Sequence, residues 1–268
     1  MKFGGSKYAD RDTIEKLCIA DDVDEMFNNL GIGAFMYKRH ESYRKASCLL
    51  LATLDVHLCA AGKYTTDGSD GYICFWATGR RQHLSFRQID RALCLPPSNR
   101  HGLDVDRDQM TTLWGTIAFG DYLSSTAKSS HIRTPPIRYF YTAIANILVS
   151  RHATMNITEN EMSMIAVALT GIQLRLNNGT QLRGSRAHGG VTCAVVDQLQ
   201  SYQSWATRHR GIRHKSELQM GGLITPLLFA VGFAPDMTED VAPPEELDLD
   251  YLKNSSFLQK TPADGPLL

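Results

Sequence analysis

Apolar residues recur every three or four positions over most of this chain, the period of a helix that buries one face. A first short stripe, capped at Asp12 and Thr13, runs through Leu17. A second opens at Asp21 and Asp22, whose carboxylates offset the positive end of a helix dipole, continues through Asn29 and closes at Gly31 and Gly33. From Glu41 to about Cys59 the positions Tyr43, Ala46, Leu50, Leu54 and Leu58 share one stripe, and Leu49, Leu51 and Val56 widen it, which predicts a long, largely buried helix. The period then changes. Residues 62–71, with Gly62, Asp67, Gly68, Ser69, Asp70 and Gly71, read as a loop. Tyr72–Ala77 is a run of aromatic and β-favouring residues, followed by a turn at Thr78–Arg81 and by Gln82–Leu84. This predicts a β-hairpin at about 72–85 whose first strand is apolar on both faces, so it must pack on helices to persist in water.

Helical spacing resumes at Ser85, an N-cap for Phe86, Ile89 and Leu93, with Pro96 and Pro97 enforcing the stop. Asp106 caps a helix through Phe119 that carries Met110, Leu113, Trp114 and Ile117. The Ser-, Thr- and Pro-rich stretch from Asp121 to Pro136 reads as a connection. Pro136 suits the first turn of an apolar helix running to about His152, and Thr158 with Glu161 forms a capping box before Met162, Ile165, Ala166 and Leu169, ended by Gly171. Val191–Ala206, with Val195, Leu199, Tyr202 and Trp205 inward, and Leu223–Phe233, kinked or begun at Pro226, complete the set. The expected fold is mainly α: a multi-helix globular domain of about eight helices with one small β-hairpin. Its expected organisation is a flexible N-terminus (1–12), a helical lobe with the hairpin (13–120), a connecting loop (121–135), a second helical lobe (136–235) and an acidic, disordered tail (236–268).

The length of 268 residues allows a sizeable core, and a hydrophobic fraction of 43% with 21% charged residues is that of a globular chain. Charge changes the picture at one end. Basic and acidic side chains number 28 each, but residues 236–268 hold eight acids and two lysines, leaving six excess positive charges on the body and six negative on the tail. The tail reads as a solvated terminus, with docking on the body or service as an acidic arm as the other options. Six cysteines without paired spacing fit a reducing compartment, and the polar run Met1–Asp12 has no signal-peptide core; the expectation is an intracellular protein of cytoplasm or nucleus. Gly221–Pro235, broken by Pro226, falls short of the roughly 20 apolar residues a membrane span needs. Glycosylation-type triplets at Asn156, Asn178 and Asn254 read as chance matches.

Signatures of catalysis and cofactor binding are missing. There is no Walker-type loop, Cys-x-x-Cys pair, zinc knuckle, His-Glu-x-x-His helix or Gly-x-Ser-x-Gly elbow. No cofactor and no metal site are expected. Asp55 and His57, two apart on the expected helix, would point to different faces and form no dyad. Asp104, Asp106 and Asp108 alternate as metal-binding acids can, but capping by Asp106 accounts for them. The strongest polar cluster runs from Arg208 to Lys215. Its four permanent cations, Arg208, Arg210, Arg213 and Lys215, with Arg183 and Arg186 nearby in sequence, form a candidate nucleic-acid contact, against the simpler reading of a solvated loop at a helix exit.

Several segments then stand out together: Thr-Ile-Glu-Lys-Leu over 13–17, Asp-Val-Asp-Glu-Met-Phe over 22–27, Leu-Leu-Ala-Thr-Leu-Asp-Val over 50–56, Leu-Ser-Phe-Arg-Gln-Ile-Asp-Arg-Ala-Leu-Cys-Leu-Pro over 84–96, Ile-Arg-Thr-Pro-Pro-Ile-Arg-Tyr-Phe over 132–140 and Gly-Gly-Leu-Ile-Thr-Pro over 221–226. In composition and order they resemble the first-open-reading-frame protein of Athila-type plant retrotransposons, over roughly residues 10 to 235, and the related plant transposon proteins. The resemblance implies origin in a long-terminal-repeat element and supplies no catalytic residues. The chain lacks an aspartic-protease triplet, a reverse-transcriptase acidic pair and a zinc knuckle. The expected role is non-enzymatic, through assembly or protein contacts. The alternatives are a nucleic-acid-binding module, or a transposase- or nuclease-like enzyme whose acids gather from distant segments.

Overall fold

The computed structural model describes residues 2–97, 103, 105–150, 156–171, 190–208 and 217–258. Two strands open the chain, β1 (Lys2–Phe3) and β2 (Lys7–Tyr8), followed by helices α1 (Arg11–Lys16), α2 (Ala20–Asn29) and α3 (Gly33–Met36), strand β3 (Ser42–Tyr43) and helix α4 (Arg44–Ala52). Strands β4 (Asp55–Leu58), β5 (Gly71–Ala77) and β6 (Arg80–Ser85) form an antiparallel sheet in that order. Helices α5 (Phe86–Ala92), α6 (Arg107–Ile117), α7 (Pro135–Ile147), α8 (Glu159–Ala168) and α9 (Val191–Arg208) follow, then β7 (Glu217–Leu218), α10 (Gly221–Ala230), β8 (Val241–Ala242), β9 (Glu245–Glu246) and α11 (Leu249–Asn254). The protein is mainly α with small sheets.

Helix α7 lies at the centre. Ile137, Tyr139, Phe140, Tyr141, Ala143, Ile144, Ala145 and Ile147 have no exposed surface, so the helix is buried around most of its circumference, as an almost wholly apolar sequence requires. Pro135 and Pro136 occupy its first turn, where the missing N–H groups have no helical partner to lose. Phe140 packs on Phe27 of α2 with ring centroids 5.4 Å apart, and a continuous cluster of buried apolar side chains extends from Tyr8 to Leu252.

Local signals fix most boundaries. Ser85 caps α5 and Thr158 caps α8, each in a reciprocal box with Gln88 and Glu161. Cys94, in the left-handed region at φ 53°, turns the chain after α5 before Pro96 is reached. Asp106 stands at the start of α6 but its carboxylate makes no capping hydrogen bond. Gly31, at φ 73°, ends α2, whereas Gly33, expected to end that helix too, opens α3.

The expected helix over 41–59 is corrected. It ends at Ala52, and Asp55–Leu58 becomes the third strand of the sheet, so the hairpin does not stand alone. Thr53 drives the switch: its hydroxyl donates to the Leu49 carbonyl at 2.7 Å and accepts the Trp76 N–H at 2.8 Å, tying the helix end to β5. An isolated hairpin is marginal in water and a third strand pairs its open edge, which outweighs the helical spacing of 54–58.

Both ends of the chain also depart from expectation. The first residues are not loose: β1 pairs parallel with β7, β2 pairs parallel with β9, and Tyr8 is fully buried. Residues 236–258, expected to be disordered, pack on the body through β8 against β3, β9 against β2, and helix α11. Leu247 and Leu252 alternate with the acids and bury completely, which is the anchor that charge alone does not reveal. Residues 259–268 lie outside the described part.

Candidate interaction surface

Of the sequence-predicted basic cluster, Arg208 is the last residue of α9, exposed, with its Nε donating to the Ser204 carbonyl at 3.3 Å. Arg183, Arg186, Arg210, Arg213 and Lys215 lie outside the described residues. Asp55 and His57 are not on a helix. They share the outer face of β4, where Asp55 pairs with Arg81 across the sheet and the His57 ring stacks on Tyr72 at 4.9 Å, both partners being other than each other. Asp104 lies outside the described residues, and Asp106 and Asp108 are helix-start residues. Among the described residues, no three His, Cys, Asp or Glu side chains gather as a metal site would require. No described helix is long and apolar enough to cross a membrane.

A cavity of about 530 Å³ opens between the end of α7, the start of α8 and α9. Much of its polar lining is committed to helix capping: the Thr158 N–H and hydroxyl donate to Glu161 Oε2 at 2.7 and 2.8 Å.

A different surface gathers side chains that ordinarily bury. Helical periodicity turns Leu49 inward and strand composition does the same for Trp76, yet each is 46% exposed. Together with Ala46, Ala77 and Phe233 they line a notch of about 130 Å³ rimmed by Lys45 and Glu239. Phe233 stacks on Phe229, itself 43% exposed, at 6.4 Å, and Tyr43 packs edge-on to Phe233 at 5.5 Å. Val241, exposed, pairs with Tyr43 across β3 and β8. Four elements therefore build one apolar patch: α4, β5, the end of α10 and β8. Its members come from four distant segments, so no single window of sequence shows it.

A second feature adjoins this patch. The segment Lys38, Arg39, His40, Glu41, Ser42, Tyr43, Arg44, Lys45 has five basic residues in eight, a density that passes unnoticed beside the 208–215 cluster because helical patterning absorbs its second half. The acidic strap of residues 236–246 crosses it. Arg39 pairs with Glu246, Arg44 with Asp240 at 3.0 Å, and Lys7 with Glu245, its direct partner across β2 and β9, at 2.9 Å. Asp10 lies 3.8 Å from Arg39. The opposite charges of body and tail thus meet in space, and the signal that finds this pairing is an excess of positive charge at 38–45 matched by acids at 239–246.

Against known proteins, no curated protein and no solved structure matches the chain. A family model described as the ATHILA ORF-1 family matches residues 1–266, essentially the whole sequence. That span includes α10, which opens at Gly221 and carries Pro226 inside it, the capped α5 and the buried α7 on which the fold rests, and on this match the chain belongs to the ATHILA ORF-1 family of retrotransposon proteins.

Proposed function

We propose that this retrotransposon-derived protein acts without catalysis of its own, through contact with protein, and that a second copy of the chain docks on the patch around Leu49, Trp76 and Phe233. The carrying observation is the patch itself. Folded chains in water rarely leave contiguous apolar surface rimmed by polar groups unless a partner covers it. Half-exposed Trp and Phe side chains are also the residues that anchor interfaces.

A second copy fits the rim. Arg44 and Lys45 stand beside Glu239 and Asp240, so the patch carries both signs of charge, which a surface needs to meet itself across a two-fold axis. With 28 basic and 28 acidic side chains there is no net charge at neutral pH to hold copies apart. Sedimentation velocity over a concentration series tests the reading. The wild-type chain is expected to pass from monomer to dimer as concentration rises, and L49D/W76D to remain monomeric with its thermal midpoint little changed, because both side chains are already half in water. A wild-type chain that stays monomeric throughout, or a variant that dimerises equally well, overturns it.

A further inference from the structure

The acidic strap occupies the kind of place an external anion takes. Helix α4 begins with Arg44 and Lys45, cations set at the end of a helix whose dipole disfavours them, and no side chain of its own N-cap, Tyr43, satisfies the first N–H groups. The strap supplies the missing acceptors. The Arg44 N–H donates to the Asp240 carbonyl at 3.0 Å and the Lys45 N–H donates to the Glu239 carboxylate at 3.2 Å. A carboxylate at a helix N-terminus flanked by Arg and Lys stands where phosphate groups bind in other proteins.

The strap is also lightly held. From Ala234 to Glu246 no residue is buried, Met237 is fully exposed, and the attachments are two pairings of two residues each, the hydrogen bonds of Arg44 and Lys45 to residues 238–240, the packing of Pro243 on Gly5, and surface ion pairs that salt screens. Buried anchors stand only at either end, in α10 and at Leu247.

We propose that Lys7, Arg39, Arg44 and Lys45, with the N-terminus of α4, bind the phosphodiester backbone of single-stranded nucleic acid, and that the strap is the internal competitor that closes this face. The strap's own charges argue for a polymer over a point anion. Its carboxylates come in two pairs, Glu239 with Asp240 and Glu245 with Glu246, separated by the four residues Val241, Ala242, Pro243 and Pro244, a span of roughly 16 Å if the chain is extended. The cations beneath them therefore form a line, which a chain of phosphates matches and a single phosphate does not. Binding here is read by backbone charge and carries no base preference. It does not depend on self-association through the apolar patch.

Fluorescence anisotropy with a labelled mixed-sequence single-stranded oligonucleotide tests this on the full chain. The strap-neutralised variant E239Q/D240N/E245Q/E246Q is expected to bind at least about tenfold more tightly than wild type. With four phosphates neutralised, quadrupling the salt should weaken that binding roughly fifty-fold. Adding R39E/R44E to the same variant should abolish it, while circular dichroism reports that both variants remain helical. If the neutralised variant fails to fold, a single E246Q substitution in folded protein should still raise the affinity. Equal binding by wild type and neutralised strap overturns the closure, binding that survives R39E/R44E overturns the site, and binding to anionic lipid vesicles but not to oligonucleotide overturns the ligand. Because Arg44, Glu239 and Asp240 also rim the apolar patch, L49D/W76D is titrated with the oligonucleotide as well: binding that persists in this variant separates the nucleic-acid site from self-association.

Discussion

Gly5 is where the strap presses hardest on the body. A β-carbon built on it would lie 1.8 Å from the Pro243 carbonyl oxygen, which is backbone and cannot swing aside as a side chain can. Gly5→Ala is expected to destabilise the fold by about 1–3 kcal/mol, the cost of forcing atoms into a filled site. Gly115 is the contrast: it is exposed in the interior of α6 with nothing within 4 Å of its added carbon, so Gly115→Ala should stabilise by about 0.5–1 kcal/mol through the lower entropy of the unfolded chain. Urea denaturation of the pair reads both signs, and a Gly5→Ala chain as stable as wild type would mean that the strap does not rest there. Sequence shows neither difference. Gly5 and Gly115 are equally glycine until the fold brings Pro243 to one and leaves the other in water.

Elements were legible where their determinants are local. Thr158 three residues before Glu161 and Ser85 before a helical stripe are read directly, because a cap is made by neighbours in sequence. Thr158→Ala should therefore cost about 1 kcal/mol, and about half of that or more should return with Thr158→Ser, which keeps the hydroxyl. A thermal melt in which Ala and Ser variants fall together would show that the methyl group, not the cap, carries the effect. Strand β4 was not legible for the opposite reason. Leu54 and Leu58 keep helical spacing, and only the open edge of β5, contributed from sixteen residues further on, turns Asp55–Leu58 into a strand. The apolar patch fails to show in sequence on the same ground: Leu49 reads as core until it is known that nothing described covers that side of α4. The basic line at 38–45 was present in the sequence, but its meaning depends on acids two hundred residues away.

At the scale of the whole molecule the buried tyrosines set the alkaline limit. Tyr8, Tyr122, Tyr139 and Tyr202 are buried and Tyr37 half-buried, and burial, which disfavours the phenolate, raises all five above the ordinary value. Tyr8 and Tyr202 are pushed up to about 12. In the unfolded chain these phenols ionise near about 10. The folded state therefore binds more protons than the unfolded state between those values, and its stability is complete below about pH 10 and lost as pH rises towards about 12. Near pH ~11 each withheld ionisation removes roughly 1 kcal/mol, so several together consume much of a typical stability of about 5–15 kcal/mol. Titration from about pH 9 to about pH 12 should thus show phenolate absorbance and loss of helical circular dichroism rising in one cooperative step. The Tyr139 hydroxyl donates to the Leu247 carbonyl at 3.4 Å, a bond a phenolate cannot make, so ionisation of this buried side chain should loosen the C-terminal segment from α7. Phenolate absorbance that reaches its full value while helical signal stays intact would contradict this burial, and with it the placement of the N-terminal strands inside the fold.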